Sequence, residues 1–269
     1  MAAIATRVPG RPSSRFGNIL RFEWCKFRSV RSTFWAMAAV VAFNVVVAAL
    51  LAIFLPRALS AHQQAAIDST RVSLGGLHLS QVAIGLLGVL VITSEYSTGM
   101  IRATLAAVPQ RRLMLTAKTL VFAVAGVIAG IAACLAAYII FQALLPSGDG
   151  MQTSLSDPGV LRAVIGAGLY VAVLGLFALA IGALLRHTAA GITGVIGFVL
   201  VLSPLAQLLP GSVGKHVHAY LPSEAGQMIG RAHQQSGDLL SPWQGFGVFC
   251  LWTAVLLVLA AYLLKRRDA

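Results

Sequence analysis

The histidines and cysteines are the side chains of this sequence that could bind a metal or act as nucleophiles. His216 and His218 lie two residues apart, a spacing that fits a weak metal site or, more simply, a solvated pair. The cysteines Cys25, Cys134 and Cys250 are far apart and lack the spacing of metal ligands. The sequence has no G-x-x-x-x-G-K-[ST] nucleotide loop, no H-E-x-x-H zinc motif and no G-x-S-x-G serine motif. We therefore expect no catalytic residue, no metal site and no cofactor bound by this chain.

Six stretches of the sequence contain no Asp, Glu, Lys or Arg, and they cover most of the chain: 32–56, 72–94, 119–148, 163–185, 187–214 and 239–264. Each is longer than the roughly 20 residues that a helix needs to cross a bilayer. The chain is 58% hydrophobic and 10% charged, whereas a soluble domain carries about 25% charged residues. Backbone groups in lipid have to bond within their own segment, which favours helices, and the alternation typical of a β-barrel is missing.

These stretches predict an all-α, polytopic membrane protein with a single domain, 15–269. Its six transmembrane helices, spans 1 to 6, are expected near 33–55, 74–93, 117–144, 161–185, 189–209 and 243–264. The alternative is a soluble all-α protein with long buried helices. No Asp, Glu, Lys or Arg lies deep in a predicted span, which argues against a proton-coupled transporter or an intramembrane aspartyl protease.

The charges between the spans are distributed unevenly. If the N-terminus is cytoplasmic, the inner segments carry fifteen basic and three acidic residues, and the outer segments carry five of each. The positive-inside rule then places both termini in the cytoplasm. Basic flanks also favour an anionic inner leaflet, so the net charge of +12 indicates a membrane and requires no nucleic acid.

The N-terminal region divides into a tail and an amphipathic segment. Residues 1–14 are rich in Arg, Pro, Ser and Ala and predict a disordered cytoplasmic tail. Residues 15–31 predict a helix lying in the membrane surface, with a plain basic flank as the alternative. Glu23 falls within its apolar face, where an isolated carboxylate is costly, so we expect a cationic partner or a contact with protein. That apolar face consists of Phe16, Ile19, Leu20, Trp24, Phe27 and Val30.

The most informative inner segment joins spans 2 and 3. Its apolar residues follow i, i+1, i+4, i+5, i+8 spacing, which predicts a short helix with one apolar stripe. Pro109 ends this helix because the residue before a proline is disfavoured in helical conformation. Arg111, Arg112 and Lys118 are then expected at the interface where span 3 begins. The stripe consists of Met100, Ile101, Thr104, Leu105 and Val108.

Three further features predict how the spans are connected and packed. The short segment Arg186-His187-Thr188 predicts a tight inner turn, so spans 4 and 5 are expected to form an antiparallel hairpin. The outer stretch 210–242 is the longest loop and is expected to hold one or two short helices that fold back. Gly126 and Gly130, four residues apart in span 3, predict close approach of a neighbouring helix.

Two segments resemble the permease subunit of ABC-2 class ATP-binding-cassette exporters, of the type common in actinobacteria. The first, before span 1, would be the elbow helix of that family; the second, between spans 2 and 3, would be the coupling helix that docks on an ATPase. The elbow residues are Glu23, Trp24, Lys26, Arg28 and Arg31. The coupling residues are Glu95, Gly99, Ile101, Arg102, Leu105, Pro109, Arg111, Arg112 and Lys118.

This resemblance implies a transport subunit of the plasma membrane that is not itself an enzyme. ATP and Mg would be bound by a separate ABC ATPase subunit, and the permease would form a homodimer, or a heterodimer with a second permease. Partners would therefore be the ATPase, the second permease and the lipid bilayer. The alternatives are a non-transporting membrane scaffold or assembly protein and, less favoured, an intramembrane enzyme.

Overall fold

A computed structural model describes residues 12–101, 110–146, 150–234 and 237–266, and every regular element in those ranges is helical. Six helices are long and apolar enough to cross a membrane, which confirms the predicted fold class and the six spans. Most of the predicted tail and of the coupling segment, residues 1–11 and 102–109, lies outside the described residues. Spans 1 to 6 are Arg31–Ala58, Leu77–Ser97, Arg111–Leu144, Val160–Leu185, Thr188–Gln207 and Pro242–Leu264.

A separate helix, Pro12–Ser29, precedes span 1 and is called the N-terminal helix below. It begins slightly before the predicted start at residue 15 and ends before the predicted end at residue 31. Val30, whose backbone is extended (φ −82°, ψ 111°), separates it from span 1. This single extended residue lets the N-terminal helix change direction and pack against span 3.

Span 4 lies at the centre of the bundle. In the most apolar stretch of 18 consecutive residues, 78% of the residues of span 4 are buried, against 22% in span 1 and 22% in span 6. It packs against spans 2, 3, 5 and 6, and its aromatic side chains Tyr170 and Phe177 both contact Phe249 of span 6. Small residues let these neighbours pack closely: a Cβ on Gly168 would overlap the backbone of span 3, and one on Gly182 would lie 2.9 Å from Ile92 of span 2.

Spans 3 and 4 approach each other through small residues, as the spacing of Gly126 and Gly130 predicts. A methyl group on Gly126 would contact Ala172, and one on Gly130 would overlap the carbonyl oxygen of Gly168. A Cβ on Gly168 would lie 2.6 Å from both the Cα and the nitrogen of Ile131. The glycines therefore set the distance between these two helices.

Span 5 is connected to span 4 by the expected tight turn and is itself irregular. Arg186 ends span 4 in the left-handed conformation (φ 55°), and span 5 begins at Thr188 and packs back on span 4. A π-helical turn, Gly197–Val201, interrupts span 5 before its last segment, Leu202–Gln207. Pro204 lies just beyond this turn and has no backbone N–H to donate, so the regular helical hydrogen bonding is broken there.

The long segment between spans 5 and 6 folds back on the bundle, as expected. It contains the helices Gly211–Tyr220 and Pro222–Gln227 and the 3-10 turn Met228–Gly230. The turn packs Ile229 against Gly166 of span 4. Arg162 at the start of span 4 donates to the carbonyl oxygens of Arg231 and Ala232, each at 2.9 Å. These two hydrogen bonds fix the returning chain to the N-terminal end of span 4.

The close contact of spans 3 and 4 predicts the effect of adding one methyl group. Gly168→Ala should lower the free energy of unfolding by about 1–3 kcal/mol because the backbone of span 3 has to move away. Gly247→Ala in span 6 is the matched control, since nothing lies within 4 Å of a Cβ at that position. Denaturation in detergent micelles measures both variants. Equal stability of Gly168→Ala and Gly247→Ala would contradict the close packing.

Candidate functional site

Four charged side chains from three helices form one ion cluster at the end of the bundle where span 2 ends and span 3 begins. The Nζ atom of Lys118 in span 3 donates to Oε2 of Glu23 at 2.7 Å and to Oε1 of Glu95 at 2.5 Å. The Nζ atom of Lys26 donates to the same Oε1 of Glu95 at 2.5 Å. Glu23 and Lys26 belong to the N-terminal helix, and Glu95 lies in the last turn of span 2. We call these four residues the ion cluster.

The ion cluster is buried and electrically balanced. Glu95 is 1% exposed, and Glu23 and Lys118 are each 3% exposed, while Lys26 remains partly accessible. Two carboxylates and two ammonium groups give a net charge of zero. Removing one member of a buried pair leaves its partner charged in a poorly solvated site, which costs about 3–5 kcal/mol. The cluster therefore holds three helices in a fixed arrangement.

Helix geometry brings the cluster together from distant parts of the sequence. Glu23 and Lys26 are three residues apart, so both side chains project from one face of the N-terminal helix. Lys118 lies about two turns inside span 3, facing that helix and span 2.

One oxygen of each carboxylate, Oε1 of Glu23 and Oε2 of Glu95, is buried without a hydrogen-bond partner among the described residues. Each carboxylate thus binds to the cluster through a single oxygen.

The segment 98–110 between spans 2 and 3, called the coupling segment after its predicted role, follows span 2 directly after the ion cluster. Gly99, two residues beyond the end of span 2, has a left-handed conformation (φ 70°), which only glycine adopts without strain. The side chain of Ile101 is 4% exposed and packs within this chain, whereas Met100 is 46% exposed. Ile101 is thus already covered by its own protein. Arg102, Leu105 and Pro109 lie outside the described residues.

Two other contacts join spans at the same end of the bundle. Arg111, at the start of span 3, donates from Nη1 to the carbonyl oxygen of Leu264 at the end of span 6, at 3.0 Å. The guanidinium of Arg186, in the turn between spans 4 and 5, lies 5.3 Å from the ring centre of Tyr96 in span 2. Such a cation–π contact is attractive. Spans 2 to 6 are therefore linked at the end of the bundle that carries the ion cluster.

Four of the predicted elbow and coupling residues take no part in the ion cluster or in the two contacts just described. Arg28, Arg31 and Arg112 are exposed. Trp24 is 38% exposed and lies beside a shallow apolar groove against span 3. Of the predicted residues, the structure thus brings together Glu23, Lys26, Glu95 and Lys118. Trp24 and the three arginines remain at the surface.

The sequence pointed to all four residues of the ion cluster, but as elbow residues (Glu23 and Lys26) and coupling residues (Glu95 and Lys118), and it did not pair them. The apolar face of residues 15–31 indicated that Glu23 needs a cation or a protein contact, and the structure supplies both through Lys118. Lys118 itself was expected at the interface and is instead enclosed by helices. Its position one helical turn or more beyond Arg111 and Arg112, inside an apolar run, is the signal that it points into protein.

Comparison with known proteins identifies a family to which most of this chain is similar. The family model described as "ABC-2 family transporter protein" matches residues 19–203, which is more than half of the chain. The matched region begins in the N-terminal helix, includes the whole ion cluster and ends in span 5. A search of curated proteins finds no match.

The ion cluster predicts a large effect of removing its central cation. Lys118→Ala should lower the free energy of unfolding by about 3–5 kcal/mol because Glu23 loses the cation that pairs with it and Glu95 keeps only the partly accessible Lys26. Arg112→Ala, six residues away on an exposed site of the same helix, is the control and should change stability by less than about 0.5 kcal/mol. Denaturation in detergent micelles measures the free energy of unfolding of both variants. A Lys118→Ala protein as stable as the control would show that the cluster contributes nothing.

Proposed function

Since the chain belongs to the ABC-2 family of transporter proteins, we propose that it is the permease subunit of an exporter. The subunit moves a substrate across the plasma membrane and uses ATP hydrolysed by a separate ATPase subunit. The observation that carries the proposal is the family match across the N-terminal helix and five of six apolar spans of a multi-pass membrane protein. ATP and Mg bind to the partner, and the permease subunit itself catalyses no reaction.

The proposed orientation has both termini in the cytoplasm. The charge distribution supports it, because all the excess positive charge of the chain falls in the segments assigned to the inner side. In this orientation the N-terminal helix is the elbow helix at the inner membrane surface. The ion cluster then lies on the side from which an ATPase approaches.

The segment after span 2 is proposed to dock on the ATPase. It leaves span 2 at Gly99, presents the exposed Met100 and continues through Arg102, Leu105 and Pro109 to span 3. Both of its ends are anchored by the ion cluster, through Glu95 before it and Lys118 after it. A displacement of the segment by the ATPase is therefore transmitted to spans 2 and 3 and to the N-terminal helix together.

The complete exporter is proposed to contain two permeases and two ATPases. The second permease is either another copy of this chain or a related chain. Large apolar side chains are exposed along span 1, including Phe34, Trp35 and Phe54, and these contact either lipid or the second permease.

The docking proposal predicts that charge on the coupling segment weakens ATPase binding. Met100→Asp and Leu105→Asp should each lower the affinity for the ATPase by roughly thirtyfold, since an interface anchor contributes about 2 kcal/mol. Leu239→Asp, at an exposed leucine on the opposite side, is the matched control. Pull-down of the co-expressed ATPase, normalised to membrane protein, measures binding. Full binding by both coupling variants would refute the docking assignment.

The orientation predicts which positions an impermeant thiol reagent reaches from outside. In a background without the native cysteines, His62→Cys and Gln152→Cys should react in intact cells. Arg112→Cys should react only after the cells are opened. All three positions are exposed in the structure. Labelling of Arg112→Cys but not Gln152→Cys in intact cells would reverse the proposed orientation.

A further inference from the structure

A half-open cavity of about 310 Å³ lies beside the ion cluster, between the N-terminal helix and spans 1, 2 and 3. Its polar end carries Lys26, Ser32 and Ser94, together with Glu23 and Lys118 of the cluster. Most of its wall is apolar and is contributed by Phe27, Val30, Leu87, Leu90, Val91 and Val121. A cavity with one cationic end and one apolar end fits an amphiphile better than a wholly polar or wholly apolar ligand.

Lys26 is the group of the cavity that can bind a ligand head. Its ammonium has three donors, and within the described residues one of them is used, on Oε1 of Glu95. Its side chain is 21% exposed, while Glu23 and Lys118 are buried and bound to each other. The accessible charge at the polar end is therefore positive, and an anionic head group complements it.

The apolar part of the cavity suits a hydrocarbon chain. Its volume is at the lower end of the range of small-molecule sites, about 300–1,000 Å³. Val30 and Leu90 line the cavity and are 40% and 38% exposed, so the cavity is open to the surrounding surface between the N-terminal helix and span 2. In a bilayer this opening faces acyl chains rather than water.

We propose that this cavity binds one anionic phospholipid of the inner leaflet. Its phosphate contacts Lys26, and one acyl chain lies between Phe27 of the N-terminal helix and Val91 of span 2. The proposal rests on the orientation given above, which places the N-terminal helix and its basic residues Arg21 and Arg28 at the inner surface. Those residues raise the local concentration of anionic lipid.

The bound lipid would stabilise the same contacts between the N-terminal helix and the spans as the ion cluster does. It contacts the same N-terminal helix and the same spans, so it stabilises their association as any ligand stabilises the state that binds it. Because it uses donors of Lys26 that Glu95 leaves open, binding requires no break in the cluster. The resident lipid would thus be a structural component of the inner end of the transporter, distinct from the exported substrate.

Native mass spectrometry of the purified chain, without any ATPase, tests this inference independently of the transport function. The probes are phosphatidylglycerol and phosphatidylcholine with identical acyl chains. The wild-type protein should retain one phosphatidylglycerol per chain in preference to phosphatidylcholine. Val91→Trp should lower retention by about tenfold, because excluding even two methylene groups from the cavity weakens binding by that factor. Ile128→Trp, at a 62% exposed position of span 3, should leave retention unchanged.

Two further variants keep the test decisive if Val91→Trp does not fold. Ser32→Trp, at an exposed residue that lines the cavity, should also reduce retention. Lys26→Gln should abolish the preference for phosphatidylglycerol over phosphatidylcholine. Equal retention of the two lipids by the wild type, or undiminished retention by folded Val91→Trp or Ser32→Trp, would overturn the proposal. So would release of the lipid when a partner ATPase and ATP are added, which would identify it as exported cargo.

Discussion

The buried ammonium group of Lys118 pairs with two carboxylates, and this pairing fixes how the N-terminal helix and spans 2 and 3 are arranged. An ion enclosed by protein loses its hydration, so a buried charge persists only when counter-charges and hydrogen bonds replace the lost water. Glu23 and Glu95 supply them from two different helices. The N-terminal helix therefore cannot move away from spans 2 and 3 without exposing unpaired charge to a poorly solvated site.

The rest of the bundle adds to this constraint. Span 4 is surrounded by its neighbours, and glycines at its contact with span 3 let the two backbones approach closely. The N-terminal end of span 4 is tied through Arg162 to the segment that returns between spans 5 and 6. Charges hold the end of the molecule that carries the ion cluster, and close packing holds its centre. In the proposed transporter, this division would let force from the ATPase act on spans 2 and 3 as one unit.

The sequence predicted the spans well and the contacts between them unevenly. Stretches without charge identify membrane helices because a charge in lipid is costly, and this physical rule depends on no neighbouring element. Gly126 and Gly130 could likewise be assigned to close packing from spacing alone. Periodicity shows that Glu23 lies on an apolar face and that Ile101 belongs to an apolar stripe, but it cannot show what covers them. The partner of Glu23, the burial of Ile101 and the π-turn before Pro204 depend on which helices are adjacent, a property of the folded bundle.

The most direct test of this account is a double-mutant cycle between Glu95 and Lys118, with the free energy of unfolding in micelles as the readout. The variants are Glu95→Gln, Lys118→Met and the combination of both. If the ion cluster holds the helices together, the two single changes should be strongly non-additive, with an interaction energy of about 1–3 kcal/mol, since residues in contact within one network are coupled. Additive effects of the two substitutions would contradict the central role given to the cluster.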